Sequence, residues 1–248
     1  MSERRFLVEA IDPEKGRASI RGEELHHLVR VLRLRPGDDV AVFDGRGSGF
    51  AGRLESIDPS AATVRLLEPE DPGVEPRVRV VLYQGIPHGD RMDGIVEKGT
   101  EIGVNRIVPV VSERSVVRPR SGRWGKLDRW RRIAVSAAKQ SGRLLVPEVA
   151  EPIDFEEALR SPQVRRFVFH PSGGPAPALP RDRAAPAEET LILVGPEGGW
   201  TEEEYHLSLA TGWNAVSLGP RILRADTAAM VALAFVLLRP SLSLTSRE

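Results

Sequence analysis

Leu191-Ile-Leu-Val-Gly195-Pro-Glu-Gly-Gly199-Trp-Thr201-Glu-Glu-Glu204 decides the fold class. The apolar run over 190–194 reads as a buried strand, the habit of parallel sheets. Thr201, with Glu204 three residues on, has the pattern of a capping box and sets the start of a helix over 202–210. Between strand and helix lie three glycines and a proline, more than a turn needs. Such a loop brings bare backbone to the carboxyl edge of a sheet, where open α/β sheets take small ligands. Walker spacing and its lysine are absent, and no G-x-G-x-x-G follows the domain's first strand, so nucleotide phosphates are not the obvious ligand.

A second stretch repeats the arrangement. In Leu218-Gly219-Pro-Arg221-Ile-Leu-Arg224-Ala-Asp226 a strand over 214–218 ends in glycine and leads to a helix over 225–238, with two arginines and an aspartate gathered at the turn. Asp226 in a first helical turn also suits the helix dipole. Two strand-end loops so close in sequence can form one pocket, and His170-Pro171, at the end of a strand over 166–169, can line it. A third stretch, Gln84-Gly85-Ile-Pro-His88-Gly-Asp90, joins a strand over 78–83 to a helix over 90–102, with Asp90 as its expected N-cap.

Outward from these loops the pattern alternates. A strand over 106–110, a helix over 124–140, a short helix over 155–159 and a Pro- and Ala-rich surface connection over 171–189 complete an α/β domain with a mostly parallel sheet. Residues 1–70 differ: strands over 4–8, 17–20, 39–43, 49–57 and 63–67, with a helix over 23–34, suggest a small β-barrel. Gly45-Arg-Gly47-Ser-Gly49 reads as a hairpin turn within it. The stretch 71–76 is a linker, so the expected domains are 1–70 and 77–248.

The 248 residues contain 35 basic and 35 acidic groups and no cysteine. Disulfides, thiolate zinc sites, iron–sulfur clusters and cysteine nucleophiles are therefore excluded. No apolar run is long enough to span a bilayer, and no signal segment follows Met1, so a cytoplasmic protein is expected. The zero net charge hides an asymmetry, because residues 106–143 hold eleven basic groups against two acidic ones. Leu127, Trp130, Ile133, Ala134, Ala137 and Ala138 make an apolar helix stripe, and Arg129, Arg132, Lys139 and Arg143 are expected roughly opposite it. A face with so few acids suits a polyanion, nucleic acid above all.

Four ordered motifs carry a resemblance: Glu97-Lys-Gly-Thr-Glu101-Ile-Gly103, Ala138-Lys-Gln-Ser-Gly142-Arg143, Gly195-Pro-Glu-Gly-Gly199 and Leu218-Gly-Pro-Arg-Ile-Leu-Arg224. Together with Val29-Arg-Val-Leu-Arg33 and Phe43-Asp-Gly45, they make the chain similar to the RsmE family of ribosomal RNA methyltransferases, in the SPOUT superfamily. The resemblance implies a PUA-like β-barrel for RNA followed by a trefoil-knotted α/β domain. It implies a homodimer that moves a methyl group from S-adenosylmethionine to N3 of a uridine, conventionally U1498, in 16S ribosomal RNA of the small subunit. By position, the cofactor loops would be Phe169, His170 and Pro171; Val194, Gly195, Pro196, Glu197, Gly198 and Gly199; and Leu218, Gly219, Ile222, Leu223 and Arg224. RNA would meet Arg30, Arg33, Arg118, Arg120, Arg123, Arg129, Arg132, Lys139 and Arg143. The family usually reads Leu-Arg-Thr-Glu-Thr-Ala where this chain has Leu223-Arg-Ala225-Asp226-Thr-Ala, so the carboxylate stays, one methylene shorter, and a hydroxyl is lost.

N3 of uracil carries a proton, so a base or a cation must stand near it. Arg224 and Arg221 are the expected anion stabilisers, with Asp226 or Glu197 as the base. N3 lies on the Watson–Crick edge, so the base must be unpaired or flipped out. Two alternatives stay open: a related SPOUT enzyme acting on ribose 2′-OH or another base nitrogen, and a non-catalytic RNA-binding assembly factor.

Overall fold

A computed structural model describes residues 4–70, 73–115, 125–161, 164–175 and 189–238. The chain divides into two compact units, residues 1–75 with 135–146 and residues 76–134 with 147–248. The first unit is thus not one continuous stretch of chain.

Six strands build the first unit: β1 (Arg5–Leu7), β2 (Ile11–Asp12), β3 (Arg17–Ile20), β4 (Asp39–Phe43), β5 (Gly49–Ile57) and β6 (Ala62–Pro69), in the order β1-β4-β5-β6-β3-β2. Only β1 and β4 pair in parallel. The ladder curls around Phe6, Ile20, Leu28, Val42, Leu54 and Val64, all nearly or fully buried. Gly52 helps it curl: a Cβ there would lie 2.5 Å from Val64 Cγ1 and 2.9 Å from the Arg65 carbonyl oxygen. The turn between β4 and β5 is the expected one, with the Asp44 carboxylate accepting from Arg46 and Ser48 N–H at 2.8 and 3.0 Å.

The helix expected over 23–34 is shorter and less regular. α1 (Gly22–His26) passes into one π-helical turn at His27–Val31, and Arg33 takes a left-handed φ of 53°. The wider turn keeps Leu25, Leu28 and Leu34 in the core.

The second unit is a seven-stranded parallel sheet. Its strands are β7 (Val80–Gly85), β8 (Arg106–Val111), β9 (Glu148–Val149), β10 (Ile153–Asp154), β11 (Arg165–Gly174), β12 (Thr190–Val194) and β13 (Asn214–Val216), ordered β10-β8-β7-β12-β11-β13 with β9 beside β8. Every residue of β7 and β12 is buried, as a strand covered on both faces requires. Val81, Tyr83, Leu191 and Leu193 share one core with Phe155 of α4 (Phe155–Leu159) and Tyr205 of α5 (Glu202–Ala210). On α2 (Arg91–Ile102), Gly99 approaches Leu233 of α6 (Ala225–Leu237) and Ile107 of β8. Among the described residues the remaining helix is α3 (Leu127–Ser141), whose residues to 134 belong to the second unit and from 135 to the first.

β11 runs on to Gly174, past the expected end at 169, and its register against β13 shifts between Phe169 and Gly174. Close backbone approach explains it: a Cβ on Gly173 would strike the Val216 backbone at 2.5 Å. After β13 the chain turns back beside Phe169–Pro171 of β11 and the loop that follows β12, and α6 packs on α2, β7 and β12 near the middle of the sheet.

The expected capping box is present. Thr201 Oγ1 accepts from Glu204 N–H at 3.2 Å, and the Glu204 carboxylate accepts from Thr201 N–H at 2.9 Å. The second carboxylate oxygen takes Glu113 N–H at 2.9 Å, so Glu204 also pins the chain after β8. Thr201→Ala is expected to cost about 1 kcal/mol, read as a fall of about 2–4 °C in Tm by calorimetry.

Candidate active site

Parallel strands deliver their carboxyl ends to one edge, and three chain segments, one within β11 and two after β12 and β13, meet in a cavity of about 400 Å³. From β11 come Phe169, His170 and Pro171. The segment after β12 supplies Val194, Gly195, Pro196, Glu197, Gly198 and Gly199. The segment after β13 supplies Leu218, Gly219, Arg221, Ile222 and Leu223. All but one of the residues expected in the cofactor loops therefore line a single space. The exception is Arg224, the exposed N-cap of α6, whose neighbours Leu223 and Ala225 both line it.

Backbone shape explains the glycines. Gly199 and Gly219 hold φ of 68° and 103°, where a side chain is strained. A Cβ on Gly195 would lie 3.2 Å from the Gly199 backbone, so the loop folds tightly on itself. Burial against Tyr205, whose ring stacks 4.0 Å away, lowers the pKa of His170. Its Nδ1 accepts Ser172 N–H at 3.2 Å, which leaves Nε2–H as the donor of the neutral ring.

The four expected catalytic residues part company. Among the described residues, neither the Arg221 nor the Arg224 guanidinium has a carboxylate partner, whereas Arg5, Arg17, Arg53, Arg91, Arg106, Arg129, Arg131 and Arg143 all do. Asp226 lies in the first turn of α6, half-buried, its carboxylate accepting Thr227 N–H at 2.9 Å. Glu197 is engaged elsewhere: it accepts His88 N–H at 3.1 Å and pairs with Arg91. Partial burial alone would raise its pKa, but backbone N–H groups and the Arg91 guanidinium outweigh that and hold the carboxyl below its ordinary value. A carboxylate so satisfied accepts a proton less readily than a free one.

Arg114 is a pocket residue that the sequence reading counted only as basic charge. Its guanidinium donates to Gly198 O at 2.6 Å and Trp200 O at 3.3 Å and lines the cavity. No periodicity marks it, since it follows β8 in a loop. Trp200 and Glu202 complete that wall. Asp90 stands at the N-cap position of α2 as expected, but its carboxylate makes no capping hydrogen bond and pairs with Lys126 at 2.8 Å instead, which lowers its pKa.

The expected RNA contacts also divide. Arg30, Arg33 and Arg132 are exposed. Arg129 is more than half exposed and pairs with Asp93 at 2.6 Å. Lys139 is mostly buried and tied to Glu24 at 2.8 Å. Arg143 is 2% exposed, with its guanidinium on Glu75 at 2.9 Å, so it presents nothing to a polyanion. The helix periodicity that placed it outward does not apply, because α3 ends at Ser141 and Gly142 turns the chain with φ of 79°. Arg118, Arg120 and Arg123 lie outside the described residues.

Comparison with known proteins fits this arrangement. Residues 74–237 match the family described as RNA methyltransferase domain, and residues 20–67 match RNA methyltransferase PUA domain. Ribosomal RNA small subunit methyltransferase E of Synechocystis is 38% identical over 85% of this chain and 69% of its own length. The Bacillus subtilis protein of that name is 32% identical over 88% of each chain. A crystal structure of the Neisseria gonorrhoeae protein of the same name, bound to S-adenosyl methionine, superposes with a TM-score of 0.82 at 34% identity, covering 94% of this chain and 95% of the other. Sequence, fold and the loops at the sheet edge thus agree, and the chain belongs to the ribosomal RNA small subunit methyltransferase E family.

Proposed function

We propose that this chain transfers a methyl group from S-adenosylmethionine to N3 of one uridine in 16S ribosomal RNA, U1498 in the conventional numbering. The observation that carries the reading is the meeting of three chain segments at one edge of the sheet around one cavity, with Arg221 and Arg224 beside it that have no carboxylate partner among the described residues. Its volume, about 400 Å³, lies in the range of small-molecule sites. Apolar walls at Phe169, Pro196, Ile222 and Leu223 suit an adenine ring, and the exposed backbone of Gly195–Gly199 suits its polar edge. When bound, the cofactor supplies an electrophilic methyl group.

The chain's own part is to hold the acceptor and manage a proton. Arg221 and Arg224 stabilise the uracil anion that forms as N3 gives up its proton. Asp226, two residues from Arg224, takes that proton. Most of the rate comes from orientation, which supplies roughly 7–11 kcal/mol in well-aligned intramolecular reactions. The exposed Arg132, with Arg129 beside it, meets RNA phosphates, as do Arg30 and Arg33 in the first unit. Arg129→Glu with Arg132→Glu is expected to weaken RNA binding in filter or fluorescence assays, and to reduce the salt slope by about one per lost phosphate contact. Unchanged RNA affinity at moderate salt removes this patch from the interface.

A homodimer fits the outer face of α6, where Val231 and Leu238 are 40% and 42% exposed, and the preceding Ile222, 93% exposed. A helix apolar on every side asks for cover. On this reading the substrate is the small ribosomal subunit and the compartment is the cytoplasm. The test is nucleoside analysis of small-subunit RNA after incubation with the protein and labelled cofactor. Label in N3-methyluridine supports the reading; label in a ribose-methylated nucleoside replaces it with a ribose methyltransferase.

A further inference from the structure

We infer that Arg91, which does not line the cavity, is a positioning residue for the loop after β12 and acts through Glu197. The inference rests on the reading of residues 194–199 as a cofactor loop. That loop is held from several sides. A Cβ on Gly85 would lie 2.5 Å from Pro196 Cδ and 2.7 Å from Pro196 N, so β7 ends flush against the loop's second residue. Buried Gln84 reaches Gly195 O with its side-chain amide at 3.3 Å. On the far side, Arg114 takes the Gly198 and Trp200 carbonyls.

Between these anchors lies an ion pair. Both Glu197 carboxylate oxygens accept His88 N–H at 3.1 Å, and the Arg91 guanidinium closes on one of them. Arg91 is the first residue of α2, whose start is itself fastened. Lys126 Nζ bonds Gly89 O at 2.9 Å and Asp90 at 2.8 Å, and Asp93 accepts Trp130 Nε1–H at 3.1 Å. Two glycines follow Glu197, and without this grip they would let the loop sample many backbones. The pair therefore selects one loop conformation before the ligand arrives, and its loss appears as weaker binding more than as slower chemistry.

The experiment uses the full-length protein. Titration calorimetry with S-adenosylmethionine is run on wild type, Arg91→Ala, Arg91→Lys, Glu197→Gln and the Arg91→Ala/Glu197→Gln double variant. Hydrogen exchange is followed at the Gly199 amide, which donates to Pro196 O at 2.9 Å, without added ligand. Arg91→Ala and Glu197→Gln are each expected to weaken binding about fivefold, the upper range for a half-exposed ion pair. The double variant also loses about fivefold rather than the product of the two, because both act through one contact. Arg91→Lys recovers most of the affinity. In steady state the Arg91→Ala loss appears mainly in KM for the cofactor, and Gly199 exchanges faster in that variant. Wild-type affinity and unchanged Gly199 exchange in Arg91→Ala, or a double-variant loss equal to the product, overturns the inference. Wild type that binds no S-adenosylmethionine overturns the reading of the loop instead, while Gly199 exchange still judges the grip.

Discussion

Arg224→Ala is expected to slow methyl transfer about 10²- to 10³-fold in kcat, the usual cost of removing a donor aimed at developing negative charge. Three features single out this arginine. Its guanidinium has no carboxylate partner among the described residues, so its charge is available to a ligand. Its two chain neighbours line the cavity while Arg224 itself is exposed, which puts it on the solvent side, where an RNA base must approach. It also caps the start of α6, whose amide ends add positive potential in the same place. Arg224→Lys keeps the charge but loses the planar fork, and an intermediate rate is expected for it. Single-turnover rates at saturating cofactor measure the chemistry apart from binding. Rates within threefold of wild type for Arg224→Ala would move the charge-stabilising role to Arg221.

Gly85→Val is expected to reduce cofactor affinity more than tenfold and to cost about 1–3 kcal/mol of stability, as overpacking does. The reason is local. Gly85 is buried at the end of β7, and the space a side chain needs is taken by the Pro196 ring and backbone. The strand is held in register by β8, so the loop after β12 is the part that moves. Gly94→Ala is the control: nothing lies within 4 Å of a Cβ at that helical position, and a gain of about 0.5–1 kcal/mol is expected from helix propensity. Thermal unfolding and calorimetry read both variants. A Gly85→Val protein that binds cofactor normally would show that the contact with Pro196 does not shape the site.

The strand, loop and capped helix of 190–204 were legible because each is a local pattern: an apolar run, glycines, and two polar residues three apart. The same holds for the turn at 44–48 and the alternation of strands with helices. What escaped reading depends on partners remote in sequence. Lys139 meets Glu24 from 115 residues away, and Arg143 meets Glu75 from 68. Charge counted along the helix could not reveal that these two groups were spent on ion pairs. Glu197 likewise looked free until its partner 106 residues away was in view. Arg114 carried no signal beyond its charge, because the carbonyls it holds belong to a distant loop.

The meeting of three backbone segments around a methyl donor is tested most directly by titrating S-adenosylmethionine into ¹⁵N-labelled protein. Saturable shifts are expected at the amides of Gly195, Gly198, Gly199, Gly219 and Leu223, with the first unit's resonances little changed. An unaltered spectrum at millimolar cofactor, or shifts gathered away from these loops, would contradict the assignment of this cavity.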